Sequence, residues 1–314
     1  MRRQFSVYRS WLVTFSAFVA LALTGGIAGG ADFSIQKKSN KHIDIKFNDR
    51  PLARVQIAND PEDRAHETYK VFTHVASPTS SDGPDWITKG PRGKYSHHRG
   101  VFIGFSNTKV EGADKVDAWH MKNVRQEFRR VVYQRATDQR VRLVIAIDWL
   151  TPDQKLLAEW RTIVVHRPES DKSFAIDQAS TLKAVAGDTK LGGDPEHAGY
   201  QFRANQAVAE NKSAKYRYAD KIEDIRKARN VPWTAMSFTI DDQPYTVQHM
   251  SHPTLPGKTR YSAYRNYGRF GVFFTDSLDQ GETATYRIRL HISSGSFSDN
   301  GRAQMRKRYQ AYVK

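Results

Sequence analysis

The chain has 314 residues, 49 Lys and Arg against 33 Asp and Glu, a net charge of +16, and no cysteine. The missing cysteine excludes a disulfide framework, thiolate metal sites and a cysteine nucleophile. Its length allows one large β domain with a substantial core that needs no covalent staples.

The first 31 residues read as a secretory signal peptide. Arg2, Arg3 and Arg9 form a charged start, residues 11–23 an apolar run, and residues 25–31 a small-residue cleavage region. Cleavage is expected near Ala31, which gives an exported protein, periplasmic or extracellular, with one β-sandwich domain over 32–314. Arg2-Arg3 carries only a trace of a twin-arginine signal, so the export route stays open. Removing the three leader arginines leaves 46 basic and 33 acidic residues, about +13. An exported protein rarely meets nucleic acid, so the expected partner is a carbohydrate or anionic glycan, with no nucleic acid. No later stretch approaches the ~20 apolar residues of a membrane helix, and oligomeric state is not legible.

Period-two alternation dominates the chain beyond the leader. Ile43, Ile45 and Phe47 alternate with polar residues as a strand with one wet face, and residues 52–57 return as its hairpin partner. A strand is expected over 69–75, then a long irregular stretch over 76–96 of the kind that is usually functional or disordered. Residues 125–185 read as four long strands of an antiparallel meander, with a bulge in the run containing Leu157, Trp160, Ile163 and Val165. Further strands are expected over 233–240, 245–250, 270–274 and 283–292. Helices are expected over about 220–229 and 300–312. The fold class is therefore all-β: a large antiparallel β-sandwich with a C-terminal helix.

The chemistry points to histidines on connecting segments, because imidazole suits proton transfer near neutral pH and metal ligation. His97 and His98 lie side by side before an apolar strand. On an extended backbone they would point to opposite faces, and only a turn lets both face one site. Arg99 reads as an anion clamp, and Trp119 beside His120 as a sugar-stacking platform. Glu196 and His197 form a corner competent for proton abstraction. His249 and His252 in His249-Met250-Ser251-His252-Pro253, with Arg265 and Tyr267 downstream, suit ligand binding. His97, His98, Glu196 and His197 are the catalytic candidates; Arg99, Trp119, His120, His249, His252, Arg265 and Tyr267 are the substrate-binding ones. The residues call for no cofactor, and a divalent metal on the histidines stays open. There is no P-loop, no G-x-S-x-G elbow and no dinucleotide fingerprint.

Five segments carry a family resemblance: 96–100, 117–120, 195–203, 249–253 and 265–268. Through them the chain resembles the PmoA-like family of exported bacterial proteins, commonly labelled "methane oxygenase PmoA". That family usually has Asp-His-Pro before the paired histidines, where this chain has Lys94-Tyr95-Ser96. The label suggests a metal-dependent oxygenase, but no membrane helix comes after the leader here. The all-β pattern and scattered histidines are also similar to the galactose-mutarotase-like β-supersandwich. In that fold histidines and a carboxylate on a concave sheet move sugar protons. The resemblance thus implies a carbohydrate isomerase, lyase or hydrolase using His and carboxylate groups, with a non-catalytic glycan-binding or envelope protein as the alternative.

Overall fold

Strands form here where apolar residues recur at every second position, and the turns between them are supplied by Gly, Asn and Asp. The computed structural model describes residues 33–58, 70–80, 83, 85–91 and 93–314. The expected signal peptide lies outside them. In chain order the first strands are β1 (Phe33–Lys38), β2 (His42–Phe47), β3 (Arg50–Gln56), β4 (Phe72–Val75), β5 (Val101–Phe105) and β6 (Asn107–Val110). The meander consists of β7 (Arg125–Ala136), β8 (Arg140–Leu150), β9 (Lys155–His166) and β10 (Ser173–Ala184). Next come β11 (Thr189–Gly192), β12 (Ala198–Arg203), the short helix α1 (Gln206–Asn211) and β13 (Lys215–Tyr218). The chain closes with β14 (Trp233–Ile240), β15 (Gln243–Ser251), β16 (Arg260–Tyr261), β17 (Arg269–Phe273), β18 (Asp276–Leu278), β19 (Thr283–Ser294) and α2 (Gly301–Tyr312).

The strands make two eight-stranded antiparallel sheets. One has the order β1-β2-β3-β4-β5-β12-β17-β16, the other β13-β14-β15-β19-β10-β9-β8-β7, and β18-β11-β6 form a small third sheet. The protein is an all-β antiparallel sandwich with a C-terminal helix. Inner faces meet in a core where Phe202 lies 6.3 Å from Phe238 and Phe105 lies 6.5 Å from Tyr286. Helix α2 covers the outer face of the second sheet, where the Gln248 amide donates to the Met305 carbonyl at 2.8 Å.

Two expectations are corrected, and a third is met. The wet face of β2 is partly closed, because Asp44 is buried in a two-pronged pair with Arg54 (2.6 and 2.9 Å). Residues 220–229 form turns, not a helix. Asp224 accepts from the backbone N–H of Arg226, an Asx turn that competes with helical bonding, and Asn230 has a left-handed φ of 52°. The bulge expected in β9 is present at its start: Trp149 pairs with Leu157 and Leu150 with Lys155, so Leu156 is the extra residue, and Leu156 and Leu157 are both buried. Beyond it the alternation is regular, with Glu159 and Arg161 as charged residues on the core face.

The outer face of the first sheet positions the site. On its central strands Phe102 and Gly104 (β5), Gln201 and Arg203 (β12), and Arg269 and Phe273 (β17) share that face, since cross-strand partners such as Phe102 and Gln201 point the same way. The inner face of the same strands carries Val101, Ile103, Phe105, Tyr200, Phe202, Phe270 and Val272, all buried. Gly104 lets a loop lie directly on the sheet, for a Cβ there would meet the Ala118 carbonyl oxygen at 2.5 Å.

Candidate active site

Four connecting segments converge over that outer face. The first turns at Tyr95, which has a left-handed φ of 58°, and closes with the His98 N–H donating to the Tyr95 carbonyl at 2.9 Å. This turn brings the His97 and His98 rings together, 4.2 Å between centroids, instead of sending them to opposite faces. The second segment, over 117–123, lies on Gly104 and carries Trp119 and His120. The third, before β12, carries Asp194, Glu196 and His197. The fourth, before β17, carries Arg265 and Tyr267.

The histidine rings form a continuous row. His97 is 4.4 Å from His120, and His120 is 5.2 Å from His197. Two of the rings are oriented by the same local device. Asp117 accepts from the N–H groups of Trp119 (3.1 Å) and His120 (2.8 Å), and its other oxygen accepts from His120 Nδ1–H at 2.8 Å. Asp194 accepts from the Glu196 N–H at 2.8 Å and binds His197 Nδ1 at 2.7 Å. An ionised carboxylate only accepts, so each Nδ1 carries a proton, and a ring in its neutral form keeps a bare Nε2. Burial pushes both aspartates up, but the hydrogen bonds from the histidine ring and the backbone outweigh it, and both stay below the usual carboxylate range.

His97 and His98 are held neutral. Burial, then repulsion from His120, Lys70, His197 and Arg269, lowers the His97 pKa to about 3. Burial, then His97, Arg269 and Arg203, lowers that of His98 well below its ordinary value. Lys70 ties the first two segments together. It is buried, donates to the carbonyls of His97 (3.0 Å) and Trp119 (2.5 Å), and sits 3.5 Å from the centre of the Phe102 ring. Burial, then Arg99, lowers the Lys70 pKa well below its ordinary value.

Other candidates take roles unlike those expected. Glu196 does not partner His197; it is clamped by Arg265 (2.8 Å) and by the buried Arg269 (2.7 Å). The turn that places Asp194 under the imidazole aims its neighbour Glu196 at these arginines. Trp119 is no open platform, being fully buried 5.0 Å from Phe102 with its edge toward His197 at 5.6 Å. Arg99 is buried and its Nε donates to the Ser96 carbonyl at 2.9 Å, so it braces the turn. His249 lies between the two sheets, 3.2 Å from the Tyr261 hydroxyl. His252 lies beside Thr254 and Tyr312, and neither of these two histidines joins the row. Tyr267 does belong here: it stacks over Arg203 at 5.0 Å and lies 5.6 Å from the exposed Tyr95.

Asp117, Asp194, Lys70, Gln201, Arg203 and Arg269 join the site although none of them is among the expected site residues. The aspartates were findable: Asp117-Ala118-Trp119-His120 and Asp194-Pro195-Glu196-His197 are both D-x-x-H. An open cavity of about 290 Å³ adjoins Asp194, with Arg229, Lys258 and Arg260 on its wall. Among the described residues no group of three His, Asp or Glu side chains is arranged to hold a metal ion.

A family model covers residues 42–307, which includes all four site segments. The chain belongs to the family of unknown function DUF6807. No curated protein matches this DUF6807 chain. Among solved structures it is similar to a mutant of the heparan sulfate lyase HepC from Pedobacter heparinus: 9% identity, 86% of this chain and 38% of that one, TM-score 0.43. It is also similar to the galactosidase domain of an alpha-galactosidase–sucrose kinase: 10% identity, 83% and 42% coverage, TM-score 0.39. The chain spans about two fifths of the length of these structures.

Proposed function

We propose that this DUF6807 protein is exported and acts on a carbohydrate or related polyhydroxylated ligand by histidine acid–base chemistry. One observation carries the reading: His97, His120 and His197 stand in a row, and two of them are each fixed by an aspartate with Nε2 left bare. A neutral imidazole whose tautomer is set by a carboxylate is the arrangement of a general base. His120 or His197 can remove a proton from a carbon or hydroxyl at its bare Nε2 and, now an imidazolium, give that proton back to a neighbouring carbon or to a leaving oxygen. His97, kept neutral by burial, donates or accepts a hydrogen bond without adding charge. Arg265 and Arg269 hold Glu196 and so fix the segment that carries His197.

The same Asp–His pairs would also suit metal ligands, but no third ligand is arranged with them among the described residues, so acid–base chemistry is the reading supported. Of the five segments that carry the resemblance to the PmoA-like proteins, four supply this pocket. The fifth, residues 249–253, does not.

The test is proton exchange. Purified protein is incubated in D2O with a panel of neutral and acidic oligosaccharides, and products are read by mass spectrometry. Isomerisation incorporates deuterium, elimination gives an unsaturated product, and hydrolysis adds solvent across the bond. One of these is expected with at least one glycan, and His197→Ala should abolish it while the protein stays folded. Saturable glycan binding with none of these changes would replace this reading with a non-catalytic glycan-binding protein.

A further inference from the structure

Beneath the histidine row the sheet holds more positive charge than it can neutralise. Arg203 and Arg269 face each other directly across β12 and β17. Both are buried, at 0% and 2% exposure. Like charges directly opposite on one sheet face repel, and a buried charge with no counter-charge is costly. Arg269 has Glu196. Arg203 has no carboxylate among the described residues: its Nη1 donates to the Tyr267 carbonyl, while its Nε and Nη2 have no partner. Burial, and then the neighbouring Arg269 against the pull of Tyr267 and Tyr216, leaves the Arg203 pKa at about 10.

The unpartnered atoms around it are of both kinds. Donors are Arg203 Nε and Nη2, Arg269 Nε and Trp119 Nε1. Acceptors are Gln201 Oε1 and one nitrogen of the neutral His98, whose two ring nitrogens both lack partners. Gln201 lies between Phe102 and Gly271 on the same face, two residues from Arg203. A sulfate ion would satisfy the donors and leave the acceptors empty. A carboxylate flanked by hydroxyl groups satisfies both, since a hydroxyl donates as well as accepts.

We infer that the buried patch beneath the histidine row, built on Arg203 with Gln201, His98 and Arg269, is an anion subsite that takes the carboxylate of an acidic sugar. This names the substrate class and rests on the carbohydrate reading above. Tyr267 stacks over Arg203, Tyr95 lies against Tyr267 and His98, and His98 adjoins the histidine row through His97.

The probes are acetate as the minimal carboxylate, glucuronate and galacturonate as sugar acids, glucose and galactose as neutral parents, and sulfate and phosphate as inorganic anions. Each is titrated at fixed ionic strength and followed by melting temperature and by the histidine ring resonances. Acetate and at least one uronate should bind saturably, the uronate more tightly. Arg203→Met should weaken that binding about a hundredfold with no loss of melting temperature in the free protein, because it removes an uncompensated buried charge. Should Arg203→Met fail to fold, Arg203→Lys, which keeps charge but loses the planar fork, should weaken both acetate and uronate binding. Sulfate or phosphate binding as tightly as the uronates would overturn the assignment to a sugar acid. No response to any anion, or unchanged uronate binding in both variants, would overturn the subsite altogether. Neutral glycans processed in D2O with no anion response would sink this inference and leave the proposed function standing.

Discussion

The protein buries two clusters of charge, and they are built differently. Between the sheets, Glu159 and Arg161 are both fully buried. Glu159 receives Arg161 Nε (2.7 Å) and Nη2 (2.9 Å), Trp149 Nε1 (2.9 Å) and Ser180 Oγ (2.5 Å). Arg161 Nη1 goes to the Val71 carbonyl at 2.6 Å. Charge is balanced and every polar atom of the pair is used. On the outer face of the first sheet, Arg203, Arg269, Gln201 and His98 leave donors and acceptors unpaired under a row of histidines. The same sequence that completes one network leaves the other open, only one sheet thickness away. The difference separates a polar cluster that specifies the sandwich from one shaped for something that arrives later.

Acid should have the largest effect. His74 and His249 are buried with pKa values lowered to about 3, burial being the main cause, and His97 shares the direction. The unfolded chain takes up these protons near pH 6.5 and the folded one does not. Their stabilisation is therefore complete above about 6.5 and is lost as pH falls toward 3, by about 1.4 kcal/mol per pH unit for each of His74 and His249. Urea midpoints measured across that range should fall with acid, and a flat profile would show that the histidines are not held neutral. Glu159→Ala comes next. It strands Arg161 without its carboxylate and should cost about 3–5 kcal/mol, read from denaturant midpoints. Arg203→Met on the other face should cost nothing. Equal losses from the two would erase the contrast between the clusters.

Gly104→Ala acts on the covering loop. Its Cβ would press on the Ala118 carbonyl, so about 1–3 kcal/mol should be lost, with faster amide exchange over 117–123. Asp194→Asn should be nearly silent in stability, under about 1 kcal/mol, because its side chain is 58% exposed. It should still lower turnover by about 10²–10⁴-fold, since the tautomer of His197 is no longer fixed.

The strands were legible because alternation is local: 233–240 and 283–292 can be read without knowing what they pack against. The paired histidines were legible as a site candidate for the same reason. Their convergence was not, since it depends on a left-handed Tyr95 and on the bare surface at Gly104, both set by contacts far along the chain. Arg203 and Arg269 were hidden inside strand patterns, where charged residues read as solvent-facing. The Trp119 platform failed similarly, because the sequence shows an aromatic but not the Phe102 and Phe273 that bury it. His249 reads as a ligand-binding residue although it falls in the strand expected over 245–250, and it is a core residue on β15.

The most direct test of the account needs no substrate. Long-range proton–nitrogen correlation spectra at mildly alkaline pH, assigned with His120→Gln and His197→Gln, report which ring nitrogen carries the proton. Both rings should show a protonated Nδ1 and a bare Nε2, and Asp117→Asn and Asp194→Asn should each disturb only its own partner. Rings protonated on Nε2, or indifferent to the two aspartates, would contradict the general-base reading.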